Sequence, residues 1–173
     1  MEGTRVLYFD MERCVGCHAC ETACKIENNI SIGPKWIEVV QHDVLKDDGT
    51  WTMKFMPMNC RHCAKAPCIP ACPTGAIEQG ADRVVLVNSR LCIGCAECLQ
   101  ACPFGAPQFG PGGLMEKCTL CAHRDPEAPT ACEQFCPVGA IRSGRPQELS
   151  SQKRKQCLFI AAAGVTARST GEA

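Results

Sequence analysis

The sequence predicts a small, loop-rich α+β fold held by bridges or metal rather than by a large apolar core, and three observations carry that prediction. Cysteine supplies 17 of the 173 residues while only 5% are aromatic, a poor basis for a core that stabilises the fold alone. The strand signals are brief and lie between turns rich in Gly and Pro. Helical signals are single turns inside cysteine groups, apart from one longer stretch near the C-terminus. The length suits one compact domain or two small fused ones.

Taken in order, residues 5–9 read as a strand that leads into the first cysteines. Residues 36–44 and 51–58 read as two strands around Lys46-Asp-Asp-Gly-Thr50, a hairpin signal. Residues 83–87 are a β-branched strand, and residues 97–101 stand for the single helical turns expected between the third and fourth cysteine of each group. Residues 109–113 and 124–130 are loops by their Gly and Pro content. Residues 150 to about 165 lack breakers before Gly164 and predict a C-terminal helix with a frayed end. The expected division is therefore a cysteine-bearing domain over 1–149 and a helix with tail over 150–173.

Bridges and metal are separated by compartment. The N-terminus shows no basic region followed by a long apolar stretch, so a cytoplasmic location is expected, where thiols stay reduced and bind metal. No apolar run approaches the roughly 20 residues that span a bilayer, so no direct membrane insertion is expected. The formal net charge is zero, and no basic stripe favours nucleic acid.

Sixteen of the 17 cysteines fall into four groups: Cys14, Cys17, Cys20, Cys24; Cys60, Cys63, Cys68, Cys72; Cys92, Cys95, Cys98, Cys102; and Cys118, Cys121, Cys132, Cys136. Three groups end in one repeated phrase, Cys72-Pro-Thr-Gly-Ala, Cys102-Pro-Phe-Gly-Ala and Cys136-Pro-Val-Gly-Ala, whereas Lys25 follows Cys24. The first and third groups have the C-x2-C-x2-C-x3-C spacing of bacterial two-cluster ferredoxins. Three thiolates at i, i+3 and i+6 curl around three corners of one [4Fe–4S] cube, and the fourth has left that loop for another cube. The second and fourth groups lengthen only the middle, to four and ten intervening residues. Zinc ribbons and disulfide scaffolds are the bland alternatives. A third cysteine follows closely after C-x2-C in three groups, which disfavours zinc knuckles, and the compartment disfavours disulfides. Four thiolates around a core of about +2 leave about −2 per site, so four sites make the loaded chain about −8.

These residues resemble the four-cluster, ferredoxin-like electron-transfer subunits of molybdenum and tungsten pterin oxidoreductases, such as dimethyl sulfoxide, polysulfide and tetrathionate reductases and formate dehydrogenases. The likeness covers residues 5–141, and Cys60-Arg-His-Cys63 and Ala66-Pro-Cys68-Ile-Pro-Ala-Cys72-Pro-Thr-Gly-Ala are its most specific stretches. It implies two dicluster halves, four [4Fe–4S] clusters and crossed ligation. Cys14, Cys17 and Cys20 would share a cluster (A) with Cys136, and Cys118, Cys121 and Cys132 one (B) with Cys24. Cys60, Cys63 and Cys68 would share one (C) with Cys102, and Cys92, Cys95 and Cys98 one (D) with Cys72. The implied role is non-catalytic relay of single electrons between a large pterin-bearing subunit and another redox subunit or carrier.

The chain reads as short for that family, so no C-terminal membrane anchor is expected, and it is also similar to the small subunit of tungsten aldehyde oxidoreductases. That resemblance implies a flavin subunit, or further copies of the chain, as additional partners. A polyferredoxin serving carbon monoxide dehydrogenase or hydrogenase is an alternative, as is an iron–sulfur sensor or maturation factor, although sensing needs only one site.

Other residues carry blander expectations. His18 and His62 read as surface or hydrogen-bonding groups, and Met53, Met56 and Met58 as packing near a cluster. Cys157 reads as a buried small hydrophobe. Leu158, Phe159 and Ile160 pack back on the domain or bind a neighbouring subunit. Lys25, Arg61, Lys65 and Lys117 flank cysteine loops and either offset acidic charge or are simply solvated. No Gly-rich phosphate motif follows a strand.

Overall fold

The computed structural model describes residues 4–162. In chain order the elements are β1 (Val6–Phe9), α1 (Ala19–Glu27), β2 (Ile37–Leu45), β3 (Trp51–Asn59), β4 (Ile77–Gln79), β5 (Val85–Val87), α2 (Glu97–Ala101), β6 (Gln108–Phe109), β7 (Met115–Glu116), α3 (Ala131–Gln134), β8 (Ile141–Gly144) and α4 (Pro146–Ala162). The strands form antiparallel pairs: β1 with β8, β2 with β3, β4 with β5 and β6 with β7. This is the loop-rich α+β class that the sequence predicts.

The repeated Cys-Pro-x-Gly phrase explains three of the four pairs. Proline cannot continue a helix, and the N–H groups of Gly75, Gly105 and Gly139 turn back to the carbonyls of Cys72, Cys102 and Cys136. These glycines sit at φ of +65°, +60° and +60°, which a Cβ disfavours. The chain leaves each turn along a strand, β4, β6 or β8. Each of these pairs with a strand that runs toward another cysteine group: β5 before Cys92, β7 before Cys118 and β1 before Cys14. The β2–β3 hairpin links the first group to the second in the same way.

The helical turns differ between groups, for local reasons. With Lys25 in place of proline, α1 runs nine residues instead of one turn. Residues 68–72 form successive turns rather than a helix, Ile69 bonding to Ala66 and Cys72 to Ile69, because Pro67 and Pro70 remove donors. The C-terminal helix begins at Pro146, four residues before the predicted start. Proline is favoured at a first helical position, Leu149 N–H reaches Arg145 O at 3.1 Å, and Glu148 returns a carboxylate to the Arg145 N–H at 3.3 Å, half of a capping box. Val165, the tail from 163 onward, and the side chains of Phe159 and Ile160 lie outside the described residues.

The core is small and is partly made of thiols. Ile37, Val39 and Ile141 pack with Cys20, Cys24 and Cys132, while Ile77, Val85 and Met115 pack with Cys98. Met53 and Met56 do not join it. They are exposed, as is Trp51 at 70%, because the hairpin reaches past the core that buries its base at Ile37, Val39, Pro57 and Asn59. Cys157 is likewise exposed: Leu149 anchors α4 two turns earlier, and by Cys157 the helix borders only an open groove beside β1. No helix among the described residues is long and apolar enough to cross a membrane.

Candidate metal centres

The fold brings cysteines from different groups together. One cavity is lined by Cys72, Cys92, Cys95 and Cys98, with Ile77, Phe109 and Met115 as apolar walls. A second is lined by Cys24, Cys118, Cys121 and Cys132, with Trp36, Ile37 and Leu120. Each takes three thiols from one group and one from another. The remaining thiols reveal their neighbours through charge: Cys136 and Cys14 act on Cys20, and Cys60 and Cys102 act on Cys68. Cys63 packs in the same core as Cys68, and Cys17 lies exposed between Cys14 and Cys20.

Two loops show how tightly the chain turns here. Cys14-Val-Gly-Cys17-His and Cys92-Ile-Gly-Cys95-Ala repeat one backbone conformation, with positive φ at Gly16 and His18 and again at Gly94 and Ala96. A Cβ on Gly94 would stand 2.5 Å from the Gly113 carbonyl oxygen, and one on Gly16 would meet the Phe55 ring. Only glycine lets these loops close against their neighbours.

Donors surround the sulfurs. The N–H groups of Ala140, Leu120, Met115 and His62 reach Sγ of Cys136, Cys118, Cys92 and Cys60 at 3.2, 3.4, 3.5 and 3.5 Å. Side chains contribute as well, with Thr130 against Cys132 at 3.3 Å, Thr74 against Cys72 at 3.5 Å, and Asn28 and Asn59 against Cys24 and Cys118 at 3.6 and 3.7 Å. Sequence reasoning missed these four residues. Asn28, Thr74 and Thr130 lie within four positions of their cysteine, a findable signal, but Asn59 and Cys118 are 59 residues apart.

Burial dominates the electrostatics. Loss of water pushes the Cys20 and Cys132 thiols up to about 12, and it also raises Cys24, Cys68, Cys98 and Cys118. Cys72 goes the other way: burial pushes it up, but the Thr74 hydroxyl and nearby amides outweigh that push. Thiols held in such a medium need positive charge to ionise, which iron supplies on binding while the protons leave. Among the described residues no three His, Cys, Asp or Glu groups are arranged to hold a single metal ion. Soft thiols lining small cavities with apolar walls, with amides aimed at sulfur, fit a multi-iron cluster.

The histidines serve structure. His18 Nδ1 pairs with Glu21 at 2.9 Å. His62 Nδ1 accepts the Val85 N–H at 3.0 Å, and burial together with the nearby Lys117 charge drives its pKa down to about 3, leaving it neutral.

An ion pair fastens the insertion of the fourth group. Glu27, at the end of α1, takes two bonds from Arg124 at 2.6 and 2.5 Å and one from His123 at 2.8 Å. Arg124 also holds Pro129 O and Gln134 Oε1. The Arg124 and His123 bonds lower the Glu27 pKa from 4.5 to about 2. A depressed carboxylate contributes its full share above its unfolded pKa, near 4.5, and loses it as pH falls toward 2. The tie is therefore intact at neutral pH. Glu27→Gln should make residues 122–130 several-fold more sensitive to limited proteolysis at pH 7, read by the rate of nicking. An unchanged rate would remove this role from the pair.

The spatial order of the sites follows from which cysteines influence one another across sets. Cys20 acts on Cys132, Cys60 on Cys118, and Cys68 on Cys98. Each set thus has a neighbour in another set; Cys17 and Cys95 are exposed, whereas Cys24, Cys118, Cys121 and Cys132 are all buried.

Residues 51–146 and 13–76 each match a family model described as a 4Fe–4S dicluster domain. Two dicluster domains give four [4Fe–4S] clusters. The thiosulfate reductase electron transfer subunit PhsB of Salmonella typhi is 35% identical over 152 residues, covering 86% of this chain and 79% of that protein. The B subunit of the anaerobic dimethyl sulfoxide reductase of Haemophilus influenzae is 36% identical over 144 residues, 78% of this chain and 70% of that protein. The formate dehydrogenase iron–sulfur subunit of Wolinella succinogenes is 41% identical over 121 residues, and there the match spans 66% of this chain and 59% of that protein.

Proposed function

The chain belongs to the 4Fe–4S dicluster family of iron–sulfur subunits of molybdenum-pterin oxidoreductases, and on that premise we propose that it relays single electrons between a large catalytic subunit and a second redox subunit or carrier. When bound, each [4Fe–4S] cluster supplies a one-electron couple. The residues do the rest. Cys14, Cys17, Cys20 and Cys136 hold cluster A; Cys118, Cys121, Cys132 and Cys24 hold B; Cys60, Cys63, Cys68 and Cys102 hold C; Cys92, Cys95, Cys98 and Cys72 hold D. The two cavities lined by the B and D sets support this crossed scheme. Apolar walls exclude water, and the amides aimed at sulfur favour added negative charge.

One observation carries the reading: cysteine charges influence one another from set A to B, B to C and C to D, and of these sets only A and D have an exposed cysteine, Cys17 and Cys95. Val15 and Ile93 stand exposed beside them, offering apolar contact to a partner at each. The relatives' names describe electron-transfer and iron–sulfur subunits, which supports a non-catalytic role. We place the chain in a cytoplasmic, reducing setting, where thiols stay available to bind iron. Leu158, exposed on α4, offers a further contact for an adjoining subunit.

Anaerobic purification tests the proposal. The expected result is a stable complex with a pterin-bearing large subunit and, from four clusters of four irons, about sixteen irons per chain. Zinc in place of iron, or a lone monomer that passes no electrons between partners, would sink it.

A further inference from the structure

Lys117 is 2% exposed, the most buried charged residue among those described. Its Nζ donates to two carbonyl oxygens, those of Val85 and Cys118. Among the described residues no carboxylate lies within ion-pair distance of it. A buried cation without a counter-ion is costly, so the balancing negative charge must lie elsewhere. Lys117 sits where the two halves of the relay meet: its charge acts on Cys118 of set B and on Cys68 of set C. Val85, whose carbonyl takes the ammonium, gives its N–H to His62 within the second group's loop. Asn59 bridges the same junction, bonding Cys60 O at 2.9 Å and Cys118 Sγ at 3.7 Å.

The other basic residues beside the cysteine loops are otherwise engaged. Lys25 holds Ser31 O at 2.9 Å, Arg61 lies against the rings of Phe9 and Phe104, and Lys65 is exposed, where solvent and salt screen it.

We propose that Lys117 is the internal counter-charge of the two central clusters, raising the reduction potentials of both and thereby drawing the electron that hops between the two halves onto the central pair. The proposal rests on the relay reading above. One electron added to either central site makes it more negative, and a buried ammonium stabilises that state more than the oxidised one. In this hop one electron leaves the B site and enters the C site, or the reverse, and no proton or bond is exchanged.

The test is an anaerobic redox titration of the holoprotein followed by electron paramagnetic resonance, comparing the wild type with Lys117→Gln and Lys117→Met. Gln keeps an N–H donor for the Val85 and Cys118 carbonyls without the charge, whereas Met removes both. The expected result is that both variants disfavour reduction of two of the four clusters by tenfold or more, about 59 mV for a one-electron step. The other two clusters should move less, and iron content should stay unchanged in Lys117→Gln. Wild-type potentials in Lys117→Gln, or an equal shift of all four, would overturn the proposal. Should Lys117→Met fail to retain iron, the Gln variant alone decides. A wild type without four titrating clusters would instead overturn the relay reading, so the two failures are distinguishable.

Discussion

Cys102→Ala should abolish the cluster built on Cys60, Cys63 and Cys68 and leave the one built on Cys92, Cys95 and Cys98 in place, although Cys102 belongs to the latter group by sequence. The backbone reason lies in the turn that follows the third cysteine of that group. Helix α2 carries Cys98 past its loop, and the chain extends at Cys102 with φ −89° and ψ 114°, out of the curl that lines the Cys92–Cys98 cavity. Cys72 completes that cavity in its stead, while the charge of Cys102 is felt at Cys68. Iron content should fall from about sixteen to about twelve per chain. The spectroscopic signal lost should be the one that Cys63→Ala also removes. If Cys102→Ala and Cys95→Ala removed the same signal, the crossed scheme would be wrong.

Stripping the iron should unfold the chain rather than merely silence it. Each sheet has two strands, and isolated two-stranded pairs are marginal in water. Thiols make up much of the main buried clusters. Cluster A would join Cys20 to Cys136, closing a loop on the order of 100 residues, and the chain-entropy value of such a cross-link is roughly 4–5 kcal/mol. Cluster B would close a loop of similar length and clusters C and D shorter ones worth roughly 3–4 kcal/mol each, so the four together match or exceed the typical net stability of a domain, about 5–15 kcal/mol. Chelation under anaerobic, reducing conditions should therefore collapse the far-ultraviolet dichroism of the strands and open the chain to protease throughout. An apoprotein that kept native-like protection would show that the apolar contacts suffice without iron.

Much of this was legible because cysteine spacing is a direct statement about ligand geometry. The four groups, the hairpin around residues 46–50 and the strand leading to Cys14 could be read from residue types alone. Strands β4, β6, β7 and β8 were not, because two to four residues carry no period, and their partners lie outside any local window. Met53, Met56 and Cys157 misled for one common reason: apolar character does not reveal whether a hairpin or helix extends beyond its core. Lys117 was one of four equivalent candidates in sequence, and only its burial beneath β5 singled it out. Asn59 left no signal at all, since its contact spans 59 positions.

The ladder between β1 and β8 has a topological meaning. It pairs Val6 with Gly144 and Phe9 with Ile141, so the strand entering the first group lies beside the strand leaving the fourth, as β4 lies beside β5 between the second and third. In its connectivity the cysteine-bearing part is circular. A permuted chain opened at the exposed turn of residues 46–50, with β8 joined to β1 by a short linker, would break none of the four strand pairs. Which group counts as the first is thus set by where the circle is cut, and the neighbours of each group in space are the same wherever that cut falls.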